Sequence, residues 1–244
     1  MTIKILILQH VSWRNPGRLL LDLSEKLSVK MYVVKGQQEP IPKGIDFDAL
    51  ILLGGDTCGN RGGSLLFVDE EKQFLADWLT HEKPCLSFCL GHGPLMETFQ
   101  AKVIDNSVNS VGFIEGHLTH DGRLHPLFQG IPPTFMLFKW HNQSVQTPIP
   151  RDLVLLATSS DCVVEAFTIK GRPYIVGLQF DNHAAHPADV SEWLDNDGEW
   201  LKIIFFEDEF KKKLIKEATS NFRTNEQIFN KLIENFITIT KCSK

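Results

Sequence analysis

The sequence has no hydrophobic run long enough to cross a membrane; no stretch approaches the roughly 18 consecutive apolar residues of such a span. It also lacks a surplus of positive charge. With 25 Lys and Arg against 30 Asp and Glu the formal charge is −5, so no general nucleic-acid footprint is expected. The five cysteines (Cys58, Cys85, Cys89, Cys162, Cys242) are odd in number and have no metal-type CxxC spacing. Free thiols in a reducing cytoplasm are the expectation. The N-terminus, MTIKILILQHVSW, carries an apolar run of about six residues that alternates like a strand, not a signal peptide. There is no internal repeat and no Gly/Ser-rich linker. Gly54-Gly55-Asp56 lacks the longer glycine pattern and the lysine of a phosphate loop.

What is present is ordinary globular composition, 43% hydrophobic and 23% charged, in a chain of 244 residues. The first half alternates two periods. Apolar runs at Ile3–Gln9, Met31–Val34, Asp48–Leu53 and Pro84–Cys89 read as strands. Between them, the residues after Asn15-Pro16-Gly17 through Leu27, and Phe67–Glu82 with Phe74, Leu75, Trp78 and Leu79, read as helices. Continuous apolar strands separated by helices predict a mostly parallel sheet covered on both faces. After about residue 101, Val108–Thr119, Phe135–His141, Leu153–Ser159, Val163–Ile169 and Pro173–Phe180 read as successive strands joined by short loops. Trp193, Leu194, Leu201 and Ile204 fit a helix broken near Gly198. A last helix is expected to start at a capping box, Thr224 and Gln227, ahead of Ile228, Leu232 and Phe236.

Cys89 stands where an apolar strand turns sharply into a helix, at the carboxyl edge of the sheet where ligands of open α/β folds bind. The helix N-terminus favours a thiolate and offers free N–H groups, and Pro94 fits its first turn. Gly54-Gly55 at the preceding strand end brings backbone close enough for a second N–H of an oxyanion site. The competing reading is an inert cysteine buried on a core strand, a common place for that residue. His117, His120 and His125 flank THDGRLHP, which reads as a turn and loop, and no Cys or carboxylate set completes a metal site. Lys211-Lys212-Lys213 after Glu207-Asp208-Glu209 reads as a solvated helix face. The seven-residue spacing of Phe222, Phe229 and Phe236 reads as core packing. His92, within the turn, reads as a local hydrogen-bonding group.

The order of LILLGGD, PCLSFCLGHG, SVGF, FKWHNQSV, ATSSDCVVEAF and GLQF resembles the class I glutamine amidotransferases, most closely stand-alone members related to the amidotransferase domain of GMP synthase. The resemblance runs from about residue 3 to 195. It implies an open, mostly parallel, flavodoxin-like α/β sheet with added antiparallel strands over residues 1–204; the helices of 205–244 fall outside the match and are read as an extension packed on the same domain. It implies no cofactor and no metal. The implied ligand is a small-molecule amide or γ-glutamyl compound, and the implied partner a synthetase or other protein.

In that family the cysteine of C-x-G-x-Q attacks the side-chain amide of glutamine, with a histidine as base and a glutamate orienting it, both from QFHPE. By resemblance Cys89 is the nucleophile and Gly55 and Leu90 the oxyanion donors, with Gly54 and His141 near the substrate. The pattern then departs. Gly93 stands at the substrate-contacting glutamine, Gln143 at an aspartate, and Glu165 where close relatives often have glutamine. The histidine-bearing motif reads Gln179-Phe180-Asp181-Asn182-His183. In direct register Asp181 replaces the histidine and His183 the glutamate. A carboxylate disfavours a neighbouring thiolate and is a poor base for a thiol, so on this register glutamine hydrolysis is expected to be impaired or lost. Two features keep a hydrolase in view. Asp181 and His183 face one side of an extended segment, and the stretch before Pro187 is about one residue longer than in close relatives, which could carry His183 to Cys89.

Overall fold

In the seven residues Ile3–Gln9, strand β1, every side chain except Lys4 is buried, as a strand covered on both faces requires. The computed structural model describes residues 2–36, 38–43, 46–55, 65–89, 92–197, 201 and 207–243. Within them β1 pairs in parallel with β2 (Val29–Lys35) and β3 (Ala49–Leu52); β4 (Cys85–Phe88) follows β3, and β9 (Arg172–Leu178) lies beside β4. Beyond β9 the pairing becomes antiparallel, through β8 (Ala166–Ile169), β7 (Leu153–Ser159), β5 (Val103–Leu118) and β6 (Thr134–Val145). The described strands form one nine-stranded sheet in the order β2-β1-β3-β4-β9-β8-β7-β5-β6.

The period of two along β1 sorts the core. Ile3, Ile5 and Ile7 face one layer, with α1 (Gly17–Lys26) and the long α6 (Glu207–Cys242). Leu6 and Leu8 face the other, against Leu75, Trp78 and Leu79 of α2 (Leu65–Thr80) and Leu95 and Met96 of α3 (His92–Thr98). The third cluster joins Phe138 and Trp140 of β6 to Trp193 of α5 (Pro187–Asn196) and Leu214 of α6.

Four expectations need correction. First, α6 runs unbroken through Thr224 and Gln227, so they form no capping box. Leu214 and Ala218 before that point, and Ile228, Phe229, Leu232 and Phe236 after it, are all buried; one continuous apolar stripe favours continuing the helix over starting it. Phe229 and Phe236 are fully buried and Phe222 packs against the same cluster, in keeping with the core-packing reading.

Second, THDGRLHP is helical. Thr119 Oγ1 caps α4 (His120–Leu124) by accepting from Gly122 N–H at 3.0 Å, and His125 Nδ1 accepts from Leu127 N–H at 3.2 Å to start a 3-10 turn, Pro126–Phe128. Burial lowers His125 to about 4, keeping Nδ1 an acceptor. Third, the strand expected from Val163 begins at Ala166. The preceding residues turn, with Ser159 N–H donating to Cys162 O at 2.9 Å and Val163 exposed. Fourth, β5 starts at Val103, five residues before the expected Val108. Gly198 and Ile204 lie outside the described residues.

β6 is the strand farthest from β4 in the sheet order, yet it returns to the site. Asp181 N–H donates to Phe138 O at 2.7 Å, Phe138 N–H donates to Asn182 Oδ1 at 2.7 Å, and Asn182 Nδ2 donates to Met136 O at 3.0 Å. The antiparallel half thus curls until its last strand is stitched to the segment that follows its first. Asn182 occupies the proline position of the resembled motif, and proline could supply neither side-chain bond.

Candidate active site

β4 ends at Phe88, and the next residue, Cys89, has φ +49°, a left-handed conformation costly for a residue with a Cβ. A chain held there leaves the strand abruptly and starts α3 three residues later. Parallel pairing of Phe88 with Leu178 puts the exits of β4 and β9 at the same edge, so residues 179–183 pass beside Cys89. Pairing of Leu52 with Ser87 brings Gly54 level with it. A Cβ on Gly54 would lie 3.2 Å from Cys89 Cβ and 3.3 Å from Arg14 Nη1, so a larger residue here would crowd both side chains.

The group facing the thiol from the β1–α1 loop is Arg14. Gln9 Nε2 holds that loop by donating to Val11 O and Ser12 O, each at 2.9 Å. The buried guanidinium lies over the rings of Trp13 (4.8 Å) and Trp193 (5.2 Å). Its Nη1 points at Cys89 Sγ at 3.8 Å, and Nη2 stands 3.7 Å from Asp197 Oδ2. On the other side the thiol faces the Trp140 carbonyl at 3.8 Å.

Asp181 is fully buried beside the thiol. Burial pushes its carboxyl up to about 7, against the smaller opposing effects of the Arg14 charge and of hydrogen bonding with Cys89. His183 sits behind it, Nδ1 4.0 Å from Asp181 Oδ1. Its ring packs on Phe88 (4.8 Å) and Trp193 (6.0 Å), and among the described residues neither nitrogen has a hydrogen-bond partner. Burial first, then the Arg14 charge, pulls it down to about 3. The His183 backbone is pinned too, since a Cβ on Gly17 (φ +77°) would meet His183 O at 2.2 Å.

A second histidine–carboxylate pair lies beneath the glycine turn. His10 shares Nε2 with Glu71 Oε2 at 2.6 Å and Nδ1 with Leu53 O at 2.9 Å, and its ring packs on Gly55. Because a carbonyl only accepts, Nδ1 carries the proton. Desolvation is the largest single influence on His10 and lowers it, but the Glu71 charge and hydrogen bond, with the Leu53 carbonyl, outweigh it and leave the pKa raised. A raised histidine stabilises the fold below its ordinary value near 6.5, and that gain is lost as pH rises through the folded value. Glu71→Gln should therefore cost about 2 kcal/mol at pH 6 and distinctly less at pH 9, read by urea unfolding. An equal cost at both pH values would show that the pair is not charged.

The family model for glutamine amidotransferase class-I matches residues 17–196. The chain belongs to the class I glutamine amidotransferase family. Among curated relatives it is 27% identical over 147 residues to a glutamine-hydrolyzing GMP synthase subunit of Methanobrevibacter smithii, covering 60% of this chain and 70% of that one. The corresponding protein of Methanothermobacter thermautotrophicus is 26% identical over 151 residues, covering 62% and 73%. In fold the chain is similar to a glutamine amidotransferase of Thermotoga maritima, with a TM-score of 0.83 at 20% identity over 97% of this chain and 99% of that one. The flavodoxin-like α/β class expected from the sequence is the observed one.

Against the amidotransferase pattern, the structure brings Cys89, Gly54 and Asp181 together, with His183 behind Asp181. It adds Arg14 and the His10–Glu71 pair, which the sequence reading passed over. Arg14 falls between the LQHV and NPG segments that carry the resemblance, and nothing in its spacing marks it. Leu90, Asp56, Cys58 and the His92 side chain lie outside the described residues. His141 is buried with Nδ1 on Gln143 O at 2.9 Å, and Gln143 Nε2 donates to Asp105 across the β5–β6 ladder at 2.8 Å. At Gly93 a Cβ would meet nothing within 4 Å among the described residues. Glu165 belongs to a separate buried network with Lys139, Ser159 and Asp161.

Proposed function

We propose that this amidotransferase-family chain has lost glutamine hydrolysis and acts by binding, through the pocket at Cys89 and a protein partner at its rim. One observation carries the reading: Asp181, not an imidazole, is the residue-181–183 group set against the thiol, while neither His183 nitrogen has a hydrogen-bond partner among the described residues. A histidine held near pKa 3 between two aromatic rings is too weak a base for a thiol, and a carboxyl does not replace it. The relatives named as GMP synthase subunits make a synthetase-like partner the natural kind to expect. Among the described residues no helix is long and apolar enough to cross a membrane. The proposed setting is the reducing cytoplasm, where the thiols of Cys85, Cys89 and Cys162 stay reduced.

A second reading, an active cysteine hydrolase with a relocated base, draws on Arg14 as a cation beside the thiol and on the His10–Glu71 pair next to Gly55. The two readings separate in one labelling experiment, with a small haloacetamide and a diazoketone analogue of glutamine read by site-resolved mass spectrometry. Cys85, whose thiol burial holds far above its ordinary range, is the internal comparison. The binding reading expects Cys89 to take the haloacetamide but not the glutamine analogue, with no ammonia released from glutamine. Labelling by the analogue that survives His183→Ala and disappears in His10→Ala would establish the second reading instead.

A further inference from the structure

We propose that a groove at the end of the sheet remote from Cys89 is a second ligand site, which holds a small phosphate monoester between Lys102 and Arg151. The proposal is independent of whether Cys89 reacts. The groove has a volume of about 390 Å³ and is lined by residues 100–102, the turn between α3 and β5, and 146–151, the connection between β6 and β7. That volume lies in the range of small-molecule sites. Its place follows from the strand pairing. Asp152 O accepts from Lys170 N–H at 2.8 Å, and Lys170 lies in the turn that leads into Arg172, the first residue of β9. The last residue of β9, Leu178, pairs with Phe88 beside Cys89. The length of β9 thus puts about 20 Å between the groove and the thiol.

The two segments are built to keep the groove in shape. Gln146 N–H donates to Lys102 O at 2.8 Å, one step beyond the Val103–Val145 pair that starts the β5–β6 ladder. Ala101 is buried, its N–H donating to Met96 O at 3.0 Å, and Ile149 packs against the same core cluster from the other segment. Leu153 N–H closes a turn on Pro150 O at 3.0 Å, and the rings of Pro148 and Pro150 fix φ at two further positions. The apolar wall is therefore stiff, and little ordering entropy is lost when a ligand settles on it.

The lip carries charge of one sign. Lys102 and Arg151 line the groove and no carboxylate does; among the described residues neither cationic side chain makes a hydrogen bond or an ion pair. Asp152 follows Arg151 in the chain but is not part of the lining. In a chain of net charge −5, two unpaired cations beside an apolar wall are a local exception. They select the ligand by charge and by shape. A phosphate monoester carries nearly two negative charges at neutral pH, matching the two cations, whereas a carboxylate carries one. A guanidinium can take two phosphate oxygens side by side, and an ammonium serves as a point charge for the third. The ester group then has Ile149 and the prolines to lie on, a contact that a free phosphate ion cannot use. Both cations are exposed, so binding costs them little desolvation, and the affinity is modest, with Kd on the order of 0.1–1 mM.

The test titrates the whole isotope-labelled chain with phenyl phosphate at low salt and follows the backbone amides by NMR. Inorganic phosphate, benzoate and a phosphoserine peptide are the comparisons. Phenyl phosphate should bind saturably, with shifts concentrated in residues 100–102 and 146–151, and at least about threefold tighter than inorganic phosphate or benzoate. Lys102→Met and Arg151→Met should each weaken it about three- to fivefold, and the double variant should show no saturation below about 10 mM. Both positions are exposed, so the fold is kept, and an unchanged amide spectrum elsewhere checks this. Ile149→Ala should weaken phenyl phosphate and leave inorganic phosphate as it was. No saturable binding, shifts centred elsewhere in the chain, binding that survives the double variant, or benzoate or inorganic phosphate bound as tightly as phenyl phosphate overturns the proposal. So does a phosphoserine peptide that binds at least about tenfold tighter, which would give the groove to a protein partner.

Discussion

Asp181→Asn should stabilise the folded protein at pH 8 by up to about 4 kcal/mol while changing little at pH 4. The sign follows from where the proton sits. Burial raises the Asp181 carboxyl from 3.8 to about 7, so between those values the folded state holds a proton that the unfolded chain has released. Stability then falls as pH rises, and the full penalty is reached once the buried group is also ionised. Asparagine keeps the shape and cannot ionise. His183 acts with the opposite sign: lowered from 6.5 to about 3, it makes stability fall as pH drops through that range. From about pH 4 to 6.5 the two slopes nearly cancel in the native protein, and Asp181→Asn should expose the histidine slope alone. Urea midpoints measured every half pH unit would show this as two curves that meet near pH 4 and diverge toward pH 8. Parallel curves would mean that Asp181 is ionised in the fold at neutral pH.

The same residues show what a sequence can and cannot disclose. β1, β3 and β4 were legible because an unbroken apolar run has one stable place, inside a sheet covered on both faces. The Cys89 turn was legible because strand, cysteine and helix start follow one another along the chain. That Asp181 and His183 come from one segment was legible as well, since they lie two apart in the chain. Arg14 was not. Its approach to Cys89 spans 75 residues and depends on a loop held by Gln9, an irregular structure with no period to read. Nor was the return of β6, which depends on Asn182 acting as a substitute for a strand partner. The α6 expectation failed for a different reason: Thr224 and Gln227 satisfy a local rule, but burial of the stripe on either side outweighs it.

In the Lys139 network a nearly isosteric change should have a large effect. Glu165→Gln is nearly isosteric. Lys139 Nζ, fully buried on β6, bonds to Glu165 Oε1, to Asp161 at 2.7 Å and to Ser159 at 3.4 Å. Desolvation opposes the lysine charge, yet Glu165 and the other partners leave its pKa raised, so the ammonium is kept by its carboxylates. Removing one partner of a buried pair strands the other, at a cost of about 3–5 kcal/mol; Asp161 remains as a counter-charge, which places Glu165→Gln near the lower end. Replacing Lys139 by Met as well removes the stranded charge, and Asp161, whose side chain is 32% exposed, can turn to water. The double variant should therefore be more stable than Glu165→Gln alone, a coupling of about 1–3 kcal/mol and the reverse of simple additivity. Unfolding midpoints at an unchanged urea slope measure it. If Glu165→Gln were neutral, Asp161 alone would be sufficient counter-charge, and the contribution of Glu165 would lie elsewhere in the fold.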